Sequence, residues 1–243
     1  MARDSVRRYA VVAGLLLLIS LVAGGVGEVY VPTKLIVSTD AAATARNIGA
    51  SDLLFRLGFA GYLVEGLSDV ALTLIFYVLL RPVDKQLALC GAFFGLLATA
   101  VFAVAELFYF APSLILEDAD YLRTFSRDQL NTIALLSLKI YGQAAGILMA
   151  FGGVGAVING YLIFQSGYLP RLLGVILALG GIGFVTRNFA LVLSPAYASD
   201  LLLMPMPLAI LLLALWLLSR GVNVSKWDER AAPDPQLPSS YHA

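Results

Sequence analysis

The stretch DLLFRLGFAGYLVEGLSDVALTLIFYVLL, residues Asp52–Leu80, decides the fold class of this chain. A membrane helix needs about 20 mostly apolar residues, and this run is longer than that. Three charged residues, Arg56, Glu65 and Asp69, interrupt it. A charge near the bilayer centre costs about 2.5–3.5 kcal/mol on insertion scales, so such residues normally face the protein interior. The stretch therefore predicts a membrane helix that packs against other helices.

The rest of the chain repeats this pattern. Hydrophobic residues make up 60% of the sequence and the mean hydropathy is +0.86, values that lie outside the range of ordinary soluble domains. We therefore predict an all-α, polytopic membrane protein built as a bundle of six transmembrane helices. The predicted spans are about 9–31, 52–80, 86–110, 130–164, 171–193 and 200–218.

The segments outside the spans predict the orientation. With the N-terminus inside, nine loop cations face the cytoplasm and only four, Lys34, Arg46, Arg123 and Arg127, face the other side. Because cytoplasmic loops carry the excess of Lys and Arg, both termini are expected in the cytoplasm. Residues 1–8 form the predicted N-terminus, and the polar, proline-rich residues 219–243 a disordered tail.

Two spans have unusual features. A basic start and glycines at 24, 25 and 27 also fit a cleaved signal peptide, but the apolar run continues past them and favours a retained helix. The fourth span is longer than a bilayer needs, so it is expected to tilt, to project, or to break near the glycines at 152–155.

Composition also excludes several chemistries. The chain has one cysteine, Cys90, and its single histidine, His242, is next to the last residue. A disulfide within the chain, a zinc site built on two histidines and a Ser-His nucleophile pair are therefore excluded. The net charge of zero offers no basic surface for nucleic acid. We predict no metal, no cofactor and no catalytic residue.

The charged residues within the spans are the candidate site. Glu65 and Asp69 share one helix face near the midplane, whereas Arg56 lies about half a turn away from Glu65. We therefore expect the counter-charge of Arg56 to come from another helix, with Glu106 or Glu28 as its partner. The candidate ligand-binding residues are Glu28, Arg56, Glu65, Asp69, Glu106, Lys139, Gln143, Arg187 and Asn188.

Three interpretations of these residues remain open. The first is a pocket lined by both signs of charge, opening to the extracytoplasmic side, that binds or transports a small charged or amphiphilic ligand. The second is a structural or regulatory membrane protein whose buried charges are interhelical pairs, since polar contacts between membrane helices are common. The third is a histidine-independent intramembrane enzyme. The expected partners are the lipid bilayer and a small molecule, and the oligomeric state is left open.

Three strings carry a resemblance to a known family. They are DAAATARNIGASDLLFRLG (40–58), LIFYVLLRPVDKQLAL (74–89) and GYLIFQSGYLPRLLGVIL (160–177). These strings resemble domain-of-unknown-function family 4386, a family of bacterial integral-membrane proteins. The resemblance implies a six-helix protein with its first helix retained, located in the bacterial inner membrane. It implies no activity and no site residues.

Overall fold

The computed structural model describes residues 3–232, and all regular secondary structure within them is helical. The α-helices are α1 (Arg3–Gly24), α2 (Val31–Leu35), α3 (Ala41–Ala50), α4 (Asp52–Leu80), α5 (Lys85–Ile115), α6 (Arg127–Ser166), α7 (Arg171–Leu193), α8 (Pro205–Ser219) and α9 (Val224–Ala231). A π-helical segment, Gly25–Tyr30, joins α1 to α2 without a break. Short 3-10 turns occur at Asp120–Leu122, Pro195–Tyr197 and Asp200–Leu203.

Six of the helical stretches in the described residues are long and apolar enough to cross a membrane, which confirms the prediction of six apolar helices. They are Asp4–Leu35, Asp52–Leu80, Lys85–Ile115, Arg127–Ser166, Arg171–Leu193 and Asp200–Ser219. Large apolar side chains such as Leu67, Val192 and Leu201 are exposed on their outer surfaces. A surface of this kind suits lipid and would be unfavourable in water.

The six spanning helices form a closed ring in chain order. Each packs on the next one in the sequence, and α8 returns to pack on α1. Gly14 of α1 lies beside Leu218 at the end of α8, and Gly24 lies beside Glu65 of α4. Short connections make neighbouring helices antiparallel, so the two ends of the bundle carry alternate loops. The centre of this ring encloses the cavity that forms the candidate site.

Glycines allow α6 and α7 to pack with their backbones close together. Gly160 faces Gly174, and a Cβ atom placed on Gly160 would lie 2.5 Å from the Gly174 carbonyl oxygen. One pair further along, a Cβ atom on Gly153 would lie 2.7 Å from the Gly181 carbonyl oxygen. Backbones approach this closely in membrane helices only where small residues line both faces.

Helix α6 is unbroken over its 40 residues, so the predicted alternative of a break at the glycines of 152–155 is wrong. Gly153 packs on the α7 backbone and Gly155 on the α5 backbone, so these glycines serve helix packing and the helix continues through them. At 1.5 Å per residue the helix is about 60 Å long, about twice the hydrocarbon thickness of a bilayer. The two other predicted alternatives therefore remain: α6 is tilted in the bilayer, or it projects beyond the hydrocarbon.

The predicted disorder after residue 218 is wrong for Val224–Ala231, which form α9. The last carbonyls of a helix lack partners within that helix, and Leu79 is one of them at the end of α4. Its oxygen accepts hydrogen bonds from Trp227 Nε1 at 3.0 Å and from the Tyr168 hydroxyl at 2.7 Å. Burial of the Trp227 side chain and this bond hold α9 on the bundle. The predicted tail beyond residue 232 lies outside the described residues.

Candidate functional site: an acidic central cavity

A cavity of about 250 Å³ lies at the centre of the ring, and all six spanning helices contribute to its lining. Most of the lining is apolar, with Leu72, Phe76, Phe102 and Met206 among the larger side chains. Its polar side chains are Glu28, Glu65, Asp69, Thr73, Tyr77, Thr99 and Asn159. Three carboxyl groups therefore share one small, mostly apolar space.

The lining extends from Glu28 toward Tyr77 and Asn159. Tyr77 lies within one turn of the end of α4, and Asn159 lies two turns before the end of α6. These helix ends belong to the end of the bundle that carries α9. The sequence analysis predicted a pocket that opens at the opposite, extracytoplasmic end. That prediction used only the depth of each charged residue along its own span.

Glu65 and Asp69 project from α4 toward α1. A Cβ atom on Gly24 would lie 2.8 Å from both carboxyl oxygens of Glu65, so a larger residue at position 24 would force the Glu65 side chain to move. The Oε2 atom of Glu65 is buried and has no hydrogen-bond partner among the described residues. Asp69 Oδ1 accepts a hydrogen bond from Ser20 Oγ at 3.0 Å. One acid is thus satisfied by α1, while the other keeps an unpartnered oxygen.

Glu28 reaches the cavity from the π-helical segment Gly25–Tyr30. Segments of this kind insert a residue into an α-helix and are frequent at functional sites. The Tyr62 hydroxyl donates to the Gly27 carbonyl at 2.8 Å and itself accepts from the Tyr141 hydroxyl at 2.9 Å. Glu28 lines the cavity, and its side chain is exposed to a water-sized probe.

Glu106 lies beyond the cavity, among aromatic rings. Its exposed fraction is 4%, and neither carboxyl oxygen has a hydrogen-bond partner among the described residues. Tyr62 and Tyr109 are close enough to interact electrostatically with it, and their ring centroids are 4.8 Å apart. Glu106 also interacts with Glu28, so the fourth acid is an electrostatic neighbour of the cavity without lining it.

The basic candidates lie outside the cavity. Arg56 Nε is 2.7 Å from Asp52 Oδ2 on the same helix, and both side chains are half exposed. The prediction that its partner is Glu106 or Glu28 on another helix is therefore wrong, because the carboxylate of Asp52, four residues earlier, is already within reach. Lys139 is exposed on α6.

Arg187 is also paired at the edge of the bundle. Its Nη2 is 3.0 Å from Asp200 Oδ1, and its Nη1 donates to Asn188 Oδ1 at 3.3 Å. The lining of the central cavity, as the described residues form it, consequently contains three acids and no base. A pocket lined by both signs of charge is not what this arrangement forms.

The family model described as a domain of unknown function, DUF4386, matches residues 12–221. The chain belongs to this family. The match covers the first apolar helix from residue 12 onward and the other five completely, and it confirms the resemblance seen in the three strings. No curated protein and no solved structure matches the chain.

Two further candidates of this DUF4386 protein line a different cavity. Gln143 and Asn188 border a space of about 290 Å³ between α6 and α7, which is otherwise apolar. Asn188 is buried and its Nδ2 donates to the Phe184 carbonyl at 2.8 Å. The nine predicted residues are therefore divided between the central cavity, the aromatic cluster around Glu106, the α6–α7 space and the surface.

Sequence reasoning missed several polar residues of the central cavity in this DUF4386 protein. Gly91, Gly95 and Thr99 recur every fourth residue of α5, a spacing that is typical of a helix-packing face, and all three line the cavity. Asn159 is a polar residue within a predicted span, and that signal alone could have identified it. Ser20 carried no such signal, because its role depends on Asp69 of another helix.

Proposed function

We propose that this DUF4386 protein binds a small organic cation, a protonated amine or a quaternary ammonium ion, in its central cavity. The protein then either transports the bound cation through the membrane or retains it in the cavity. The observation that carries the proposal is the lining of three carboxyl groups without a base. The sequence interpretation of a small charged ligand is thereby narrowed to a positively charged one.

The acids of the central cavity lack a counter-charge in the lining. A carboxylate buried in an apolar site without a partner is strongly unfavourable. Glu65 keeps a buried oxygen without a hydrogen bond, and a cation in the cavity would supply its partner. Phe76, Tyr77 and Phe102 line the same space, and aromatic faces attract organic cations. A cavity of about 250 Å³ suits a ligand of few heavy atoms.

The same lining favours an organic cation over a metal ion. Calcium takes six to eight oxygen ligands at short distance, and magnesium requires near-octahedral geometry. Among the residues that the structure describes, no three His, Cys, Asp or Glu side chains converge as such ligands. Apolar walls around dispersed carboxyl groups match an ion whose charge is covered by alkyl groups.

A thermal-shift comparison tests the proposal. Purified protein in detergent is melted with a series of alkylammonium ions including choline, and in parallel with 3,3-dimethylbutan-1-ol, the neutral isostere of choline. We expect at least one cation of the series to raise the melting temperature and the neutral alcohol to leave it unchanged. An equal rise with the alcohol would indicate an uncharged apolar pocket, and a flat response to the whole series would reject cation binding.

We also propose that both termini face the cytoplasm and that the membrane is the bacterial inner membrane. The excess of loop cations on the end that carries the termini supports this orientation. Ser38 and Ser225 are exposed at opposite ends of the bundle, so each is replaced by cysteine in a Cys90→Ser background. A membrane-impermeant maleimide should label Ser38→Cys in intact cells and Ser225→Cys only after permeabilisation. The reverse pattern would overturn the orientation.

A further inference from the structure

Another cavity, with a more polar lining than the central one, lies at the end of the bundle that carries α9. Its volume is about 560 Å³, and it opens between the turn that joins α4 to α5 and the helix α9. The side chains that determine its chemistry are Arg81 and Lys85 of the turn region and Trp227, Asp228 and Arg230 of α9. None of these residues belongs to the central cavity.

Helix α9 is held firmly enough to form one wall. Trp227 is 2% exposed and donates its indole hydrogen to the Leu79 carbonyl at 3.0 Å. Arg230 Nη2 donates to the Gln165 carbonyl at 3.0 Å, which ties the other end of α9 to the end of α6. The Asn223 side chain caps the helix by accepting from the Lys226 amide at 3.2 Å. The cavity thus has walls that do not depend on a ligand.

The cavity is positively charged. Arg81, Lys85 and Arg230 contribute three cations, and Asp228 contributes one carboxyl group. Among the side chains that the structure describes, no carboxylate lies within ion-pair distance of any of the three cations. Three basic groups that line one cavity form a site for an anion.

The position of the cavity indicates which anion. Arg81 directly follows the last residue of α4, and Lys85 is the first residue of α5, so both lie where spanning helices leave the hydrocarbon. Phospholipid headgroups occupy this level of the bilayer. Basic clusters directly beside transmembrane helices attract anionic lipids, by about 1 kcal/mol for each Lys or Arg near the surface.

We propose that the cavity between the α4–α5 turn and α9 binds the headgroup of an anionic phospholipid, with Arg81, Lys85 and Arg230 around the phosphate. The arginines supply planar, paired donors and Lys85 a point charge. Bound lipid then bridges the turn and α9, and its acyl chains lie along the lipid-facing surface of the spans. This binding is independent of the cation proposed for the central cavity.

Lipid binding measured by native mass spectrometry tests this site. The full-length protein is titrated in detergent with phosphatidylglycerol, with zwitterionic phosphatidylcholine, and with inorganic phosphate as a competitor. We expect the protein to bind phosphatidylglycerol at least tenfold more tightly than phosphatidylcholine, and inorganic phosphate to leave the bound lipid in place. Displacement by inorganic phosphate at similar concentration would assign the site to a soluble anion and overturn the proposal.

Matched variants locate the site. The combined change Arg81→Gln, Lys85→Gln and Arg230→Gln should remove most of the tenfold preference. The control, Lys34→Gln with Arg46→Gln and Arg123→Gln, removes the same charge at the opposite end and should keep it. The single variants Arg81→Gln and Lys85→Gln affect exposed side chains, so they report partial loss even where the triple variant fails to fold. If the triple variant and its control prefer phosphatidylglycerol over phosphatidylcholine equally, the assignment of the lipid site to Arg81, Lys85 and Arg230 is refuted.

Discussion

Replacing Gly160 by alanine is expected to lower the stability of the bundle by about 1–3 kcal/mol, because the added methyl group has no space. Its Cβ atom would lie 2.5 Å from the Gly174 carbonyl oxygen and 2.8 Å from the Ala178 backbone nitrogen. Both are backbone atoms of α7, so no side-chain rotation relieves the overlap and the two helices must separate. Two quantities are measured: the midpoint of thermal unfolding in detergent and the monodispersity of the purified protein.

Gly142→Ala on the same helix is the matched control. No atom outside its own stretch of helix lies within 4 Å of a Cβ placed there, so alanine should leave the midpoint unchanged or raise it. Alanine is favoured over glycine within a helix by up to about 1 kcal/mol. Gly174→Ala, the other partner of the contact, should behave like Gly160→Ala. Equal midpoints for Gly160→Ala and Gly142→Ala would show that the α6–α7 contact does not limit stability.

Replacing Glu65 by glutamine is expected to weaken binding of the organic cation at least tenfold. A hydrogen bond or ion pair to a charged group contributes about 1.5–3 kcal/mol, and about 1.4 kcal/mol corresponds to a factor of ten in the dissociation constant. Without ligand, the variant should be as stable as the native protein or more so, because it removes a charge with an unpartnered oxygen from an apolar cavity. The melting temperature of the purified protein is measured without ligand and at increasing concentrations of the cation from the thermal-shift series. The first value compares the stability of the two proteins, and the series gives their dissociation constants.

Asp52→Asn is the matched control for this variant. Asp52 is an acid on the same helix, but it is half exposed and pairs with Arg56 outside the cavity. Its loss should leave the affinity for the cation unchanged, because Asp52 does not line the central cavity. It should also have little effect on folding, since an exposed pair contributes only about 0–1 kcal/mol to stability. If Glu65→Gln lowers the unfolding midpoint and leaves affinity intact, the carboxyl group has a structural role between α1 and α4, and the cavity is not a cation site.

Much of the fold could be predicted from local properties of the chain. Long apolar runs are sufficient to predict six spanning helices, because a bilayer leaves backbone groups no partner except their own helix. The acids of the central cavity were also recognisable, since an ionisable residue inside a span has to face the protein. The four-residue spacing of the small residues of α5 is visible in the sequence, although their position at the cavity depends on Thr73 and Asn159 opposite them.

The distribution of the charges required the tertiary structure. A helical wheel gives the angle of a side chain but not the helix that it meets, so Arg56 was assigned to distant acids although Asp52 holds it. The π-helical segment adds a further obstacle, because an extra residue in one turn rotates the side chains that follow. The face on which Glu28 lies therefore cannot be obtained from a period of 3.6 residues.

What the sequence by itself determined is the number of helices long and apolar enough to span a membrane, the family and the presence of acids within these helices. What only the tertiary structure decided is that three of these acids share a cavity without a base, and that α9 docks beside a basic cavity. The physical reason is the range of the interactions involved. Insertion into a bilayer depends on the composition of each segment separately, whereas the charge of a cavity is a sum over side chains from helices far apart in the chain.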